Sequence, residues 1–144
     1  MRRSYPFVGV VALACAVACG DSKPAMRQQC AALHASFTMD KSVDTKLYPW
    51  FVISTSNEGA AKQAQSLRDR TAAWRSAGGQ GPLKDDADKL AAAIDKMIAL
   101  LEVSDRSQEQ QAALRDAKDE AAAAWQVVVN RCFEEAQFAP GDRL

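Results

Sequence analysis

The stretch SQEQQAALRDAKDEAAAAWQVVVNRCFEEAQ, residues 107–137, decides the fold of this chain. Apolar side chains recur along it at steps of three and four residues, which is the spacing of one face of an α-helix. The stripe is Leu114, Ala117, Ala121, Trp125, Val128 and Cys132. Steps of three and four are typical of helices that pack against other helices in a bundle. The stretch therefore predicts one long helix, about Ser107–Gln137, that needs helical partners.

Three segments earlier in the chain carry the same period. Helix 1 is predicted over about Pro24–Thr38, helix 2 over Asn57–Ala77 and helix 3 over Lys84–Val103. Their stripes are Met26, Cys30, Leu33 and Phe37; Ala60, Ala64, Leu67, Thr71 and Trp74; and Ala87, Leu90, Ile94, Met97 and Leu101.

The residues between these segments are helix breakers. Gly78-Gly79-Gln80-Gly81-Pro82 separates helices 2 and 3. Ser104–Ser107 is a short connection, and Ser107 with Gln110 three residues later has the pattern of a capping box. Short loops between four helices predict an all-α fold, an up-down-up-down four-helix bundle with helix 1 tied to helix 4. By helical rise, Trp74 and Trp125 are expected in one buried layer.

One apolar stretch lies outside this pattern. Leu47–Ile53, LYPWFVI, has no useful period and contains a proline. It is interpreted as an early turn of helix 2 or a loop packed on the bundle. Its exposed part, Tyr48, Trp50 and Phe51, is the predicted contact for a partner protein.

The charge balance gives no electrostatic case for two classes of partner. The chain has 18 basic and 18 acidic residues. Arg2 and Arg3 are the only charges before Cys19, so removal of that segment leaves 16 basic residues against 18 acidic ones. This balance offers no basic patch for nucleic acid and no polybasic segment for anionic lipid.

The N-terminus has the pattern of an export signal. Arg2 and Arg3 precede Phe7–Ala18, an apolar run of about a dozen residues, which is too short to span a bilayer. Ala16, Val17 and Ala18 then precede Cys19.

Ala16–Cys19 resembles the lipobox of bacterial lipoproteins, although Ala16 stands where leucine is commoner. The resemblance implies that a diacylglycerol transferase modifies the sulfur of Cys19 and that signal peptidase II cleaves before it. Two alternatives stay open. Cys15, after Ala12-Leu13-Ala14, is a rival lipidation site, and signal peptidase I could cleave after the A-x-A of residues 16–18.

The resemblance also implies a location in the cell envelope. Family members with aspartate directly after the lipidated cysteine tend to stay in the inner membrane, whereas this chain has Gly20 there and Asp21 next. An outer-membrane anchor of acyl chains, palmitate among them, is expected. The predicted organisation is a cleaved signal peptide at 1–18, a lipidated tether at 19–23, the bundle at 24–138 and a tail at 139–144.

Two thiols remain once Cys15 is removed and Cys19 is acylated, namely Cys30 and Cys132. The periplasm is oxidising, so an even pair in an exported domain favours a disulfide. Cys30 is near the start of helix 1 and Cys132 near the end of helix 4, and these ends are adjacent in an up-down bundle. The alternative is a pair of buried free thiols.

His34 is the only histidine and stands at the edge of helix 1's stripe. It is interpreted as a partly exposed structural residue. A helical bundle could instead hold haem between this histidine and Met26, Met39 or Met97.

No catalytic or metal-binding pattern is present in the sequence. There is no Glu-x-x-His pair for a di-iron site and no serine–histidine or phosphate-loop motif. The acidic residues of helices 3 and 4 lie off the apolar stripes and are interpreted as solvated. The expectation is therefore a non-enzyme without cofactor, a periplasm-facing, lipid-anchored interaction module that binds another envelope protein. The alternative is a carrier of haem or another small molecule.

Overall fold

The computed structural model describes residues 22–37, 53–78 and 80–139. These residues form four helices, α1 (Ser22–Phe37), α2 (Asn57–Gly78), α3 (Lys84–Leu101) and α4 (Gln108–Ala136). Each helix packs along its two neighbours in a square, and within these residues no Cα atom of α1 lies within 8 Å of α3, nor any of α2 within 8 Å of α4. The predicted four-helix bundle is confirmed.

The helix ends follow local sequence signals. Ser107 caps α4, because its hydroxyl accepts from the amide of Gln110 while the Gln110 side chain accepts from the amide of Ser107, so the predicted capping box is confirmed. α1 begins at Ser22, two residues before the predicted start, with Pro24 in its first turn, where a missing amide costs no hydrogen bond. Asp105, with φ at 53°, turns the chain between α3 and α4.

Ion pairs define the register between α2 and α3. Arg68 pairs with Glu102, and Arg75 pairs with Asp95. A step of seven residues forward along α2 thus matches a step of seven residues backward along α3. The two helices are antiparallel.

The same reversal relates α3 to α4. Asp86 pairs with Arg131 near one end of α3, and Lys96 pairs with Glu120 further along. Contacts at the end of the bundle where Arg131 meets Asp86 show that α1 runs antiparallel to α4. Arg27 contacts Ala136, and Cys30, further along α1, is bonded to Cys132, earlier in α4. The up-down-up-down order therefore holds across these three interfaces.

The core is built from the apolar stripes. All twenty stripe residues predicted from the sequence are buried. Leu83, just before α3, and Phe138, just after α4, extend the core beyond the helices. Ile53 is half-buried and packs on the core, whereas the rest of the Leu47–Ile53 stretch lies outside the described residues.

The two core tryptophans are buried as predicted, with 2% of Trp74 and 1% of Trp125 exposed. The ring of Trp125 contacts His34 and Phe37 of α1. The placement of the two tryptophans in one layer stays a prediction.

Candidate functional site

A disulfide closes one end of the bundle. Cys30 of α1 and Cys132 of α4 are joined by an S–S bond of 2.08 Å, with their Cα atoms 5.8 Å apart. Both side chains are fully buried. The pairing predicted from the sequence is confirmed. Because the bond spans 102 positions, the chain-entropy model assigns it about 4.7 kcal/mol of stabilisation.

Side chains of α1 hold the end of α4 at the same place. The guanidinium of Arg27 donates to the carbonyl oxygens of Ala136 and Gln137, at 3.0 and 3.1 Å. The last carbonyls of a helix have no partner within the helix and carry partial negative charge, so a cation there is stabilising. Arg27 also lies over the ring of Phe138, 5.6 Å from its centroid, and Lys23 donates to the side-chain oxygen of Gln137 at 3.0 Å.

A left-handed residue turns the chain back after α4. Gln137 has φ at 51° and ψ at 43°. The next amide, that of Phe138, donates to the carbonyl of Cys132 at 3.0 Å. This reversal brings the Phe138 ring into the core, where 1% of it is exposed.

His34 is buried by this reversal. Only 6% of it is exposed, so the expectation of a partly exposed histidine is wrong. Its ring centroid lies 5.2 Å from that of Trp125 and 5.5 Å from that of Phe138. The physical reason is that Phe138 covers the edge of the α1 stripe on which His34 stands, and a helix-based pattern does not include a residue beyond the helix end.

The packing around His34 bears on haem binding. Aromatic rings occupy the space beside the imidazole, and none of the three principal grooves of the described surface is lined by His34, Met26 or Met97. Met39 lies outside the described residues. Within the described part of the chain, no three histidine, cysteine or acidic side chains are grouped so that they could hold a metal ion.

A buried glutamine joins α1 to the start of α3. Gln29 is 4% exposed, and its side-chain oxygen accepts from the backbone amide of Leu83 at 2.7 Å. Leu83 is the N-terminal cap position of α3, and its own side chain makes no capping hydrogen bond. Gly81, with φ at 147°, passes so close that a Cβ there would lie 2.9 Å from the same oxygen of Gln29.

Arg131 ties the end of α4 to the same loop. Its guanidinium donates to Asp86 at 2.7 Å and to the carbonyl of Pro82 at 3.3 Å. It also donates to both carboxylate oxygens of Glu135, at 2.6 and 2.9 Å. The hydrogen bond from Arg131 lowers the pKa of Glu135, and the hydrogen bonds to Glu135 and Asp86 raise the pKa of Arg131.

Three grooves mark the described surface. The largest, about 800 Å³ between α1 and α2, is open to solvent. A second, of about 430 Å³, lies between α3 and α4, and a third, of about 290 Å³, lies beside Ile53. Small and charged side chains line the first: Ala32, Ala35, Ser36, Lys62, Gln65, Ser66, Asp69, Arg70 and Ala73. The two larger grooves offer open surface for contact rather than an enclosed ligand site.

Two large apolar side chains are exposed on α4 among the described residues. Phe133 is 64% exposed and Val127 is 47% exposed. Phe133 follows Cys132 directly, so it stands at the disulfide-closed end.

Several predicted sites fall outside the described residues. These are the lipidation site Cys19 and the partner contact Tyr48, Trp50 and Phe51. None of the described helices combines the length and apolar character needed to cross a bilayer.

Sequence reasoning missed Gln29 and Phe138. Gln29 stands three residues after Met26 and four before Leu33, which is stripe spacing, so its position carried the signal that it is buried. Phe138 stands outside any period. Its only signal is that it is a large aromatic residue directly after the predicted helix 4, which carries an apolar stripe.

The class defined by these features is a disulfide-closed, antiparallel four-helix bundle. No protein-family model matches the sequence, and neither the curated proteins nor the solved structures compared with it provide a match.

Proposed function

We propose that this chain is a bacterial lipoprotein precursor whose mature form is a helical interaction module, anchored to the outer membrane through Cys19 and facing the periplasm. The observation that carries the proposal is the buried Cys30–Cys132 bond. Structural disulfides form and persist in oxidising compartments, of which the bacterial periplasm is one. The signal-like residues 1–18 and the lipobox-like Ala16–Cys19 supply the route and the anchor.

The position of α1 agrees with an anchor at Cys19. α1 begins at Ser22, three residues later. Three residues span at most about 11 Å when fully extended. A lipid-linked Cys19 would therefore hold the disulfide-closed end of the bundle close to the bilayer and direct the opposite end into the periplasm.

An interaction role fits the shape of the described surface better than a carrier role. The two larger grooves are open to solvent, and the core is filled by packed side chains. His34, the one candidate haem ligand of its type, is enclosed by aromatic rings. A second envelope protein is the proposed partner, and its contact is proposed to include Tyr48, Trp50 and Phe51.

The anchor is tested with the full chain expressed in a Gram-negative bacterium. Metabolic palmitate labelling and intact-mass measurement should find acyl chains on Cys19 and loss of residues 1–18. The Cys19→Ser variant should lose the label and leave the membrane fraction, whereas Cys15→Ser should keep both. Label that persists in Cys19→Ser and disappears in Cys15→Ser would move the anchor to Cys15.

The partner is tested by crosslinking in intact envelopes, followed by affinity purification under denaturing conditions. Wild type is compared with a Tyr48→Ala/Trp50→Ala/Phe51→Ala variant. One envelope protein should be recovered with wild type and reduced at least tenfold with the variant. Equal recovery from both proteins would exclude this segment as the contact, and recovery of no protein from either would contradict the interaction role.

A further inference from the structure

We propose that the disulfide-closed end of the bundle rests on the bilayer that holds the lipid anchor. The ring of Phe133 is then inserted at the boundary between headgroups and acyl chains. The surface concerned, called the contact edge, consists of Lys23, Phe133 and Gln137. The inference rests on the proposed lipid anchor at Cys19 and adds to it a second, non-covalent contact with the membrane.

The contact edge is continuous. Lys23 of α1 donates a hydrogen bond to the side chain of Gln137, at 3.0 Å. The backbone amide of Gln137, the residue after α4, donates to the carbonyl of Phe133 at 3.1 Å, so the two residues are adjacent at this helix end. All three residues are exposed, and 64% of Phe133 is open to solvent.

The length of chain before α1 points to the bilayer as the occupant. Lys23 is four residues after Cys19, and four residues span at most about 14 Å. Acyl chains on Cys19 would lie in the hydrocarbon region, which begins directly beneath a headgroup layer some 5–8 Å thick on each side. The α1 side of the contact edge, at Lys23, is therefore held within reach of the membrane surface.

Position distinguishes Phe133 from an ordinary exposed apolar residue. Single apolar residues on a protein surface are common and need no ligand. Val127, the other such residue of the described surface, is six positions earlier on α4, which rotates it by about 120° from Phe133 and places it about 9 Å farther from the helix end. Phe133 lies on the side of α4 that Lys23 reaches, whereas Val127 does not.

The residue types suit a lipid interface. Aromatic rings bury apolar area at the acyl boundary, and lysine extends its ammonium to the phosphate level. The exposed charges beside the edge are mixed, Lys23 being positive and Glu134 negative. The contact should therefore depend on the aromatic ring and the tether, and should be insensitive to salt and to the anionic lipid content.

The test uses full-length protein, isolated with its acyl chains and reconstituted into phosphatidylcholine vesicles with and without nitroxide-labelled phosphatidylcholine. Phe133→Trp is the reporter. Val127→Trp, on another side of α4, and Glu109→Trp, about 36 Å away in the first turn of α4, are matched controls. Quenching of the wild-type protein is subtracted, which removes the native tryptophans. Intact mass verifies acylation of each preparation.

The Phe133→Trp protein should be quenched by nitroxide lipid at least twofold more than either control. Its quenching by aqueous acrylamide should fall at least twofold relative to the same variant without acyl chains, made by adding Cys19→Ser. Both effects should persist at high salt and without anionic lipid.

Three results would overturn the inference. If the acylated Phe133→Trp protein is quenched no more than the acylated Val127→Trp protein, the contact does not exist, although the anchor then stands. Acrylamide protection without nitroxide quenching assigns Phe133 to a protein partner or to a second copy. Absence of acyl chains on Cys19 refutes the proposed anchor, and the contact falls with it.

Discussion

The side chain of Gln29, on α1, accepts a hydrogen bond of 2.7 Å from the backbone amide of Leu83, the residue that precedes α3. The first amides of a helix have no partner within the helix, and such groups are usually satisfied by a nearby side chain of the same segment. Here the acceptor comes from a different helix, 54 positions earlier in the chain. One buried polar contact thus links the correct docking of α1 to the start of α3.

Replacing Gln29 should therefore destabilise the whole bundle. In Gln29→Ala the buried amide of Leu83 loses its acceptor, which costs about 1–3 kcal/mol. Urea unfolding followed by circular dichroism measures the loss. Gln28→Ala, at the exposed neighbouring position, is the control and should change the free energy of unfolding by less than about 0.5 kcal/mol. Equal effects of the two substitutions would refute the capping role.

Gly81→Ala should be destabilising for two separable reasons. The backbone φ of 147° disfavours any side chain, and the new Cβ would lie 2.9 Å from the Gln29 oxygen. The expected loss is roughly 2 kcal/mol or more. In a Gln29→Ala background the steric part disappears and the backbone part stays, so the double-mutant cycle should show coupling of at least about 0.5 kcal/mol. If the losses of the two single variants simply add in the double variant, Gly81 is needed only for its backbone conformation.

The sequence predicted the helices and the stripes because each depends on local periodicity. All twenty stripe residues are buried, and the capping box at Ser107 forms as its residue types suggested. The prediction of the disulfide required only the helix order and the expectation of an oxidising compartment. These features could be read without knowing how helices are inclined to each other.

What the sequence did not reveal depends on contacts across the ends of helices. His34 is buried because Phe138 folds back over it, and that reversal depends on one left-handed residue, Gln137. Such details depend on tertiary packing, to which no period of the sequence corresponds.

Acid should weaken the connection between Arg131 and Glu135. Arg131 holds the pKa of Glu135 below its ordinary value of 4.5. The stabilisation is therefore complete above that ordinary pKa and is lost as the pH falls through the lowered folded-state pKa. Since about half of the Glu135 side chain is exposed, solvent screens the pair and the effect should be small.

The measurement is the free energy of unfolding of wild type and Glu135→Gln between pH 7 and pH 3. The variant should be less stable at pH 7 and should converge with wild type toward pH 3. Glu134→Gln, at the exposed adjacent position, is the control. A constant difference at every pH would contradict the titration of Glu135 as the cause.

Haem should not bind through His34. The imidazole is packed against Trp125 and Phe138, at 5.2 and 5.5 Å between ring centroids, so coordination would require those rings to move. Haem titrated into the purified protein should give the same absorbance spectrum with wild type and with His34→Ala, without a Soret band that depends on His34. A band that shifts or disappears in His34→Ala, with wild-type stability retained, would favour the carrier function instead.

The largest single effect on stability is expected from the Cys30–Cys132 bond, which closes a loop across most of the described bundle. The chain-entropy model gives about 4.7 kcal/mol for a loop of this length, which is comparable with the whole stability of a small domain. Cys30→Ala/Cys132→Ala should lower the melting temperature by on the order of 10–20 °C.

Because both side chains are fully buried, dithiothreitol should reduce the native protein only as fast as the bundle opens, and moderate urea should accelerate reduction strongly. The double variant is its own control, since dithiothreitol should not change its melting temperature. Non-reducing peptide mapping of protein isolated from the periplasm should recover the two cysteines in one linked peptide pair. Free thiols at both positions, or a double variant as stable as wild type, would show that packing of α1 against α4 holds this end of the bundle without the bond.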